Sequence, residues 1–218
     1  MILIPVKDLR GAKQRLAEVL PQERRTELAE TMLGDVLAAV AGWRGHPPVA
    51  LVTSYPCAIE LARQHRFEVI EDRVNPGETG AIAMGTRIAV QRGATETFVI
   101  PGDMPLVSSE ELSAVYTAAP REGVVLVPSA DGRGSNAVLR RPASLMPLRF
   151  GNDSFVPHHE AARATGKPVV VLELPGIGLD IDTPSDLAAL LAAPARSRTQ
   201  ALLAQWDIAD RLADAQRA

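Results

Sequence analysis

Three groups of residues have the types and spacing for chemistry on phosphates. Lys7, Arg10, Lys13 and Arg15 fall within nine residues, directly after the apolar run 2–6. A triphosphate carries about four negative charges, and fixed cations beside it stabilise the charge that builds on a leaving pyrophosphate. Backbone N–H groups around Gly11 add to such a cradle. Asp103 follows the apolar run 97–100 and is framed by Pro101, Gly102 and Pro105. A carboxylate in so rigid a turn suits Mg²⁺, a hard cation that prefers oxygen ligands. Asp180 and Asp182 flank Ile181. In an extended segment they share one face, where two carboxylates repel unless a cation sits between them. Each group alone also has a plainer reading: a solvated charge run, a turn residue, a helix cap.

Two further stretches are rich in small polar residues. Residues 131–136 read Asp-Gly-Arg-Gly-Ser-Asn, and residues 150–155 read Phe-Gly-Asn-Asp-Ser-Phe. Glycine permits close backbone approach to a ligand, while Ser135, Asn136 and Ser154 supply neutral hydrogen bonds. Ordinary turn chemistry would also explain both. His158 and His159 are adjacent and lack Cys or His partners at zinc spacing, so they read as helix surface. In the loop after the first apolar run there is no Walker A pattern. At the helix that closes the chemistry-bearing region, Thr183 reads as the cap, Pro184 as the first helical residue and Asp186 as a structural member of the first turn.

The elements that must position these residues alternate. Apolar runs at 2–6, 49–53, 67–70, 97–100, 124–127 and 137–140 read as strands. Between them, 21–40, 58–64, 81–92 and 109–118 read as helices, the first with Leu28, Met32, Val36 and Val40 at helical spacing. Asn75-Pro76-Gly77 punctuates a loop. This alternation predicts βαβ units on a parallel sheet, whose ligands bind beyond the carboxyl ends of the strands. Basic residues then lie at one strand end and carboxylates at two others.

Composition sets the outer limits. The chain has 218 residues, 46% hydrophobic and 22% charged, with a formal net charge of -3. That suits one α/β domain over 1–192, with 193–218 as a linker and a C-terminal amphipathic helix over 199–212. The plain reading packs that helix on its own domain; a homodimer contact is the alternative. An acidic balance argues against nucleic-acid binding. No apolar run is long enough to span a membrane. The single cysteine, Cys57, forms no intrachain disulfide, and the chain reads as cytoplasmic.

Taken together, the motifs resemble a known family. Residues 4–16, Ile-Pro-Val-Lys-Asp-Leu-Arg-Gly-Ala-Lys-Gln-Arg-Leu, are similar to the opening of the phospholactate/phosphoenolpyruvate guanylyltransferases of deazaflavin coenzyme F-420 biosynthesis. Pro-Gly-Asp-Met-Pro-Leu at 101–106, Asp-Gly-Arg-Gly-Ser-Asn-Ala-Val-Leu at 131–139, Phe-Gly-Asn-Asp-Ser-Phe at 150–155 and Leu-Asp-Ile-Asp-Thr-Pro-Ser-Asp-Leu at 179–187 follow in the family's order. The resemblance spans nearly the whole chain. It implies a three-layer, Rossmann-like nucleotidyltransferase fold, of the nucleotide-diphospho-sugar transferase kind, with a mostly parallel mixed sheet. It implies GTP and a small phosphorylated acid as substrates: phosphoenolpyruvate, 2-phospholactate or 3-phosphoglycerate. It also implies Mg²⁺ on Asp103, Asp180 and Asp182. The acid would meet Ser135, Gly151 and Ser154, and the triphosphate Lys7, Gly11, Lys13 and Arg15. One segment departs: the family's Gly-Leu-[Asn/Ser]-x-Ala stretch is here Gly77-Glu78-Thr79-Gly80-Ala81, which places Thr79 and Gly80 at the nucleotide and adds the carboxylate of Glu78.

Two other classes compete. A sugar-phosphate or molybdopterin nucleotidyltransferase would open with Leu-Ala-Gly-Gly after the first strand, where this chain has Pro5-Val6-Lys7. A non-catalytic nucleotide-binding protein of the same fold would release no pyrophosphate.

Overall fold

The computed structural model describes residues 1–73, 77–151, 153–194 and 196–208. The punctuation at Asn75-Pro76, Asn152 of the second polar turn and the far end of the C-terminal helix lie outside these residues. Seven strands form one sheet: β1 (Ile2–Pro5), β2 (Val49–Val52), β3 (Glu68–Ile70), β4 (Thr97–Val99), β5 (Gly123–Pro128), β6 (Ser135–Arg141) and β7 (Val169–Val171). Their order is β3-β2-β1-β4-β6-β5-β7. Neighbours pair in parallel except β6, which runs antiparallel to β4 and β5. The sheet is therefore mostly parallel and mixed. The reversal of β6 turns the 129–134 connection into a hairpin on the same sheet edge as the carboxyl ends of β1 and β4.

The helices are α1 (Gln22–Gly42), α2 (Pro56–Gln64), α3 (Glu78–Gln91), α4 (Ser109–Ala118), α5 (Phe155–Ala164), α6 (Pro175–Gly178), α7 (Pro184–Ala192) and α8 (Arg198–Gln205). Three layers follow from strand alternation. Ile2 and Ile4 of β1 face a core with Leu33, Val36, Ala58 and Leu112 of α1, α2 and α4. Leu3 faces the opposite core with Ile82 of α3 and Ala162 of α5. Gly85 lets α3 approach, since a Cβ there would lie 2.7 Å from Val52 Cγ2. A third core joins Leu28 and Met32 of α1 to Leu187 and Leu190 of α7 and Leu203 of α8. The C-terminal helix thus spends Leu203, and Ile208 beyond it, on its own chain. Among the described residues, no helix is long and apolar enough to cross a membrane.

Several boundaries differ from the sequence reading. Strand β7 and helix α6 are additions. Helix α3 begins at Glu78 rather than at Ala81, so the departing segment forms its first turn. Residues 179–182 join no strand. They run extended off α6 with Ile181 buried, fixed by the Ile181 N–H donating to the Asp103 carbonyl at 3.2 Å.

Candidate active site

The chain leaves β1 into two short 3-10 turns, Leu9–Gly11 and Gln14–Leu16, and Lys13 sits between them with φ 55° and ψ 45°. A lysine in the left-handed region carries a cost of about 1 kcal/mol or more, so its surroundings must over-determine it. Lys13 Nζ donates to Asp103 Oδ2 at 2.8 Å and to Asp182 Oδ1 at 2.9 Å. The side chain is only 8% exposed. Burial alone would lower its pKa, yet the two carboxylates hold it well above the usual lysine range. The ammonium remains charged and ties the loops after β1, β4 and α6 together. Arg15 approaches the other oxygen of Asp182 at 3.9 Å. Arg10 stays out of the site: it is exposed and pairs with Asp8 inside its own turn.

Around this tie lie two adjoining cavities. One, about 300 Å³, is walled by Lys7, Gly11 and Lys13 of the basic loop and by Asp72 and Ala81. The other, about 560 Å³, is walled by Arg15, Ser135, Asn136, Gly151, Ser154 and Asp180. Glu78, Pro101, Asp103 and Asp182 line both. The dispersed sequence candidates are therefore brought to one sheet edge. From the departing segment it is Glu78, rather than Thr79 or Gly80, that faces the cavities. Thr79 instead donates to the Phe150 carbonyl at 3.3 Å.

Secondary partners hold the carboxylates in place. Asn136 Nδ2 donates to Asp180 Oδ1 at 3.0 Å and to the carbonyls of Ile177 and Gly178. Burial pushes the Asp180 carboxyl up to about 6, and the Asp103 charge adds to that, while the Asn136 bond opposes it. Burial likewise pushes Glu78 up to about 7, with Asp103 adding and Lys7 and Lys13 opposing. Thr183 and Asp186 form the capping box of α7, with Pro184 in its first turn. The Asp186 carboxylate accepts from the N–H groups of Asp182 and Thr183. The structural reading of Asp186 holds. That of His158 does not: it is 1% exposed, on the inner face of α5, because its two ring nitrogens bond Ser135 and the Arg149 backbone.

The cation between Asp103 and Asp182 is the Lys13 ammonium. Among the described residues no three His, Cys, Asp or Glu side chains converge closely enough to enclose a metal alone. What the carboxylates offer still fits magnesium, which commonly takes one or two protein carboxylates and completes its shell with phosphate and water oxygens. The donors are all hard oxygens, and Asp103 Oδ1 is buried without a hydrogen-bond partner.

Residues 1–213 match the family described as guanylyl transferase CofC like. The chain belongs to this family. The enzyme is a guanylyltransferase, and so a nucleotidyltransferase. It is 36% identical over 191 residues to the phosphoenolpyruvate guanylyltransferase of Conexibacter woesei, covering 86% of this chain and 85% of that one. It is 31% identical over 189 residues to the 2-phospho-L-lactate guanylyltransferase of Methanothermobacter thermautotrophicus, covering 87% and 82%. A solved structure of a nucleotide-diphospho-sugar transferase from Desulfovibrio desulfuricans aligns with TM-score 0.78 at 20% identity, covering 98% of this chain and 96% of that one. That structural likeness establishes the three-layer nucleotidyltransferase fold. Asn136 is read in the sequence as a hydrogen-bonding residue and Glu78 as an added carboxylate, neither with its partners, and the role of His158 goes unread. The first two stand inside segments that were singled out, whereas His158 carries no signal in the sequence.

Proposed function

We propose that the enzyme transfers GMP from GTP to a small phosphorylated acid, releasing pyrophosphate, with Mg²⁺ as cofactor. The acceptor is phosphoenolpyruvate, 2-phospholactate or 3-phosphoglycerate. The observation that carries this reading is the junction of the two cavities at Asp103 and Asp182, braced by Lys13. A triphosphate in the basic cavity and an acid among Ser135, Gly151 and Ser154 would meet there. An oxygen of the acceptor's phosphate attacks the α-phosphorus of GTP. The bond from that phosphorus to the bridging oxygen breaks, and pyrophosphate leaves in line. The attacking phosphate is already ionised at neutral pH, so no general base is required, and the protein contributes position and charge. Lys7 and Lys13 neutralise the leaving phosphates from the basic cavity, and Arg15 adds its charge from the adjoining one. Asp103, Asp180 and Asp182 would hold Mg²⁺, which supplies further neutralisation of the phosphate oxygens. The resemblance of the five motifs supports placing this reaction in deazaflavin coenzyme biosynthesis, and the single cysteine supports a cytoplasmic setting.

The test is pyrophosphate release with Mg²⁺, crossing GTP, ATP, CTP and UTP with the three acids. Release that requires GTP and one of the acids is the expected result. Folded enzyme that stays silent across the whole grid would overturn the proposal.

A further inference from the structure

We infer that His158 is a positioning residue that aims the Ser135 hydroxyl as a donor beside that of Ser154, so that the two form a donor cradle for an oxyanion of the acceptor. This inference rests on the guanylyl-transfer reading for the identity of that oxyanion; the polarity of the cradle rests on geometry alone. The Arg149 backbone N–H donates to His158 Nε2 at 2.8 Å. A backbone N–H has no other role available, so Nε2 must carry the lone pair. A neutral imidazole with Nε2 as acceptor has its proton on Nδ1. Nδ1 lies 2.9 Å from Ser135 Oγ, so it donates there. The imidazole is neutral because burial, with Arg140 nearby, pushes its pKa down to about 4.

The direction then propagates. Ser135 Oγ has an acceptor site filled by His158, and its own proton is left to donate. The Ser135 backbone N–H donates to Ser154 Oγ at 2.9 Å, so Ser154 reaches the same state through the backbone and not through His158. Both serines line the larger cavity, and neither hydroxyl proton has an acceptor recorded among the described residues. Two buried hydroxyls, each with one acceptor site filled and its proton free to donate, favour an anionic oxygen. Opposite them stand the carboxylates Asp103, Asp180 and Asp182, which repel an acid unless it is held from the far side. The Phe150 ring, its centroid 5.0 Å from that of the imidazole, lines the cavity, and His158 does not. His158 therefore acts through Ser135 and does not touch substrate.

The side-chain length of substitutes separates the two ring nitrogens. Asparagine reaches the place of Nδ1 and can still donate to Ser135. Glutamine reaches the place of Nε2 and keeps the Arg149 bond while losing the donor. His158→Gln is expected to raise the acceptor KM about tenfold with the GTP KM unchanged, and His158→Asn to restore most of the loss. A folded His158→Gln enzyme with an unchanged acceptor KM would refute the positioning role. Nitrogen NMR of the unaltered enzyme reads the tautomer without turnover. Protonation at Nδ1 supports the cradle, and protonation at Nε2 overturns it even if both variants fail to fold. Should the enzyme turn over none of the acids, the tautomer measurement still decides the polarity, so the two failures are distinguishable.

Discussion

Lys13 Nζ and Asp103 Oδ2 lie 2.8 Å apart although 90 residues separate them in the chain. The ammonium is enclosed, whereas both of its carboxylate partners keep partial contact with solvent. Removing it leaves two acids facing each other and frees the left-handed turn that carries it. Lys13→Met is therefore expected to lower pyrophosphate release by a hundredfold or more, on the order of 3 kcal/mol in the barrier, and to lower stability by about 1 kcal/mol after solvent screening. Lys13→Arg should rescue neither, because a planar fork does not replace a compact ammonium between two carboxylates. Steady-state rates and thermal denaturation of both variants check this; near-normal turnover in Lys13→Met would show that the tie is structural and not catalytic.

Asn136 anchors the Asp180 side. Its amide serves three acceptors: two backbone carbonyls around the end of α6 and the Asp180 carboxylate. Asn136→Ala is expected to destabilise the fold by about 1–3 kcal/mol, a melting shift of several degrees in a chain of this size. Asn136→Asp should be worse, since it sets a second carboxylate against Asp180 and loses the donor. Equal melting temperatures for Asn136→Ala and the unaltered enzyme would show that the amide does not hold this corner.

How much of this was legible without coordinates differs by residue. The carboxylates and the basic loop stand directly after apolar runs, and the strand-end rule converts that into a shared edge. Thr183, Pro184 and Asp186 were legible because capping is local. Strand β7 was missed because Val169–Val171 is three residues long and becomes a strand by pairing with β5. The ion pairs of Lys13 with Asp103 and Asp182 are not legible, since sequence shows which charges share an edge but not which side chains reach one another. His158 was misplaced on a surface because its burial depends on Arg149 and Ser135, 9 and 23 residues away.

Stability should depend on pH through His158. Its folded pKa of about 4 lies below the ordinary 6.5, so the unfolded chain binds the extra proton between those values. The contribution is complete above about pH 6.5 and is lost as pH falls toward 4, at most about 3 kcal/mol. Denaturant midpoints of the enzyme at pH 7 and pH 5 should differ more than those of His158→Asn, which has no group titrating there. Parallel pH dependences in the two proteins would assign the acid sensitivity elsewhere.

Glu78 poses the converse problem, a carboxylate in a cavity read here as the home of a triphosphate. It lines both cavities, and burial together with Asp103 pushes it up to about 7. Bound triphosphate adds negative charge nearby and favours the protonated acid further. GTP should therefore bind more weakly as pH rises through 7, when Glu78 is ionised in the free enzyme. Glu78→Gln removes that charge without changing the size of the side chain. Its GTP KM is expected to fall on the order of fivefold at pH 8 and to lose this pH dependence. A rise in the GTP KM of Glu78→Gln would mean instead that the carboxylate accepts hydrogen bonds from the nucleotide, and that the departure at residues 77–81 reads the base.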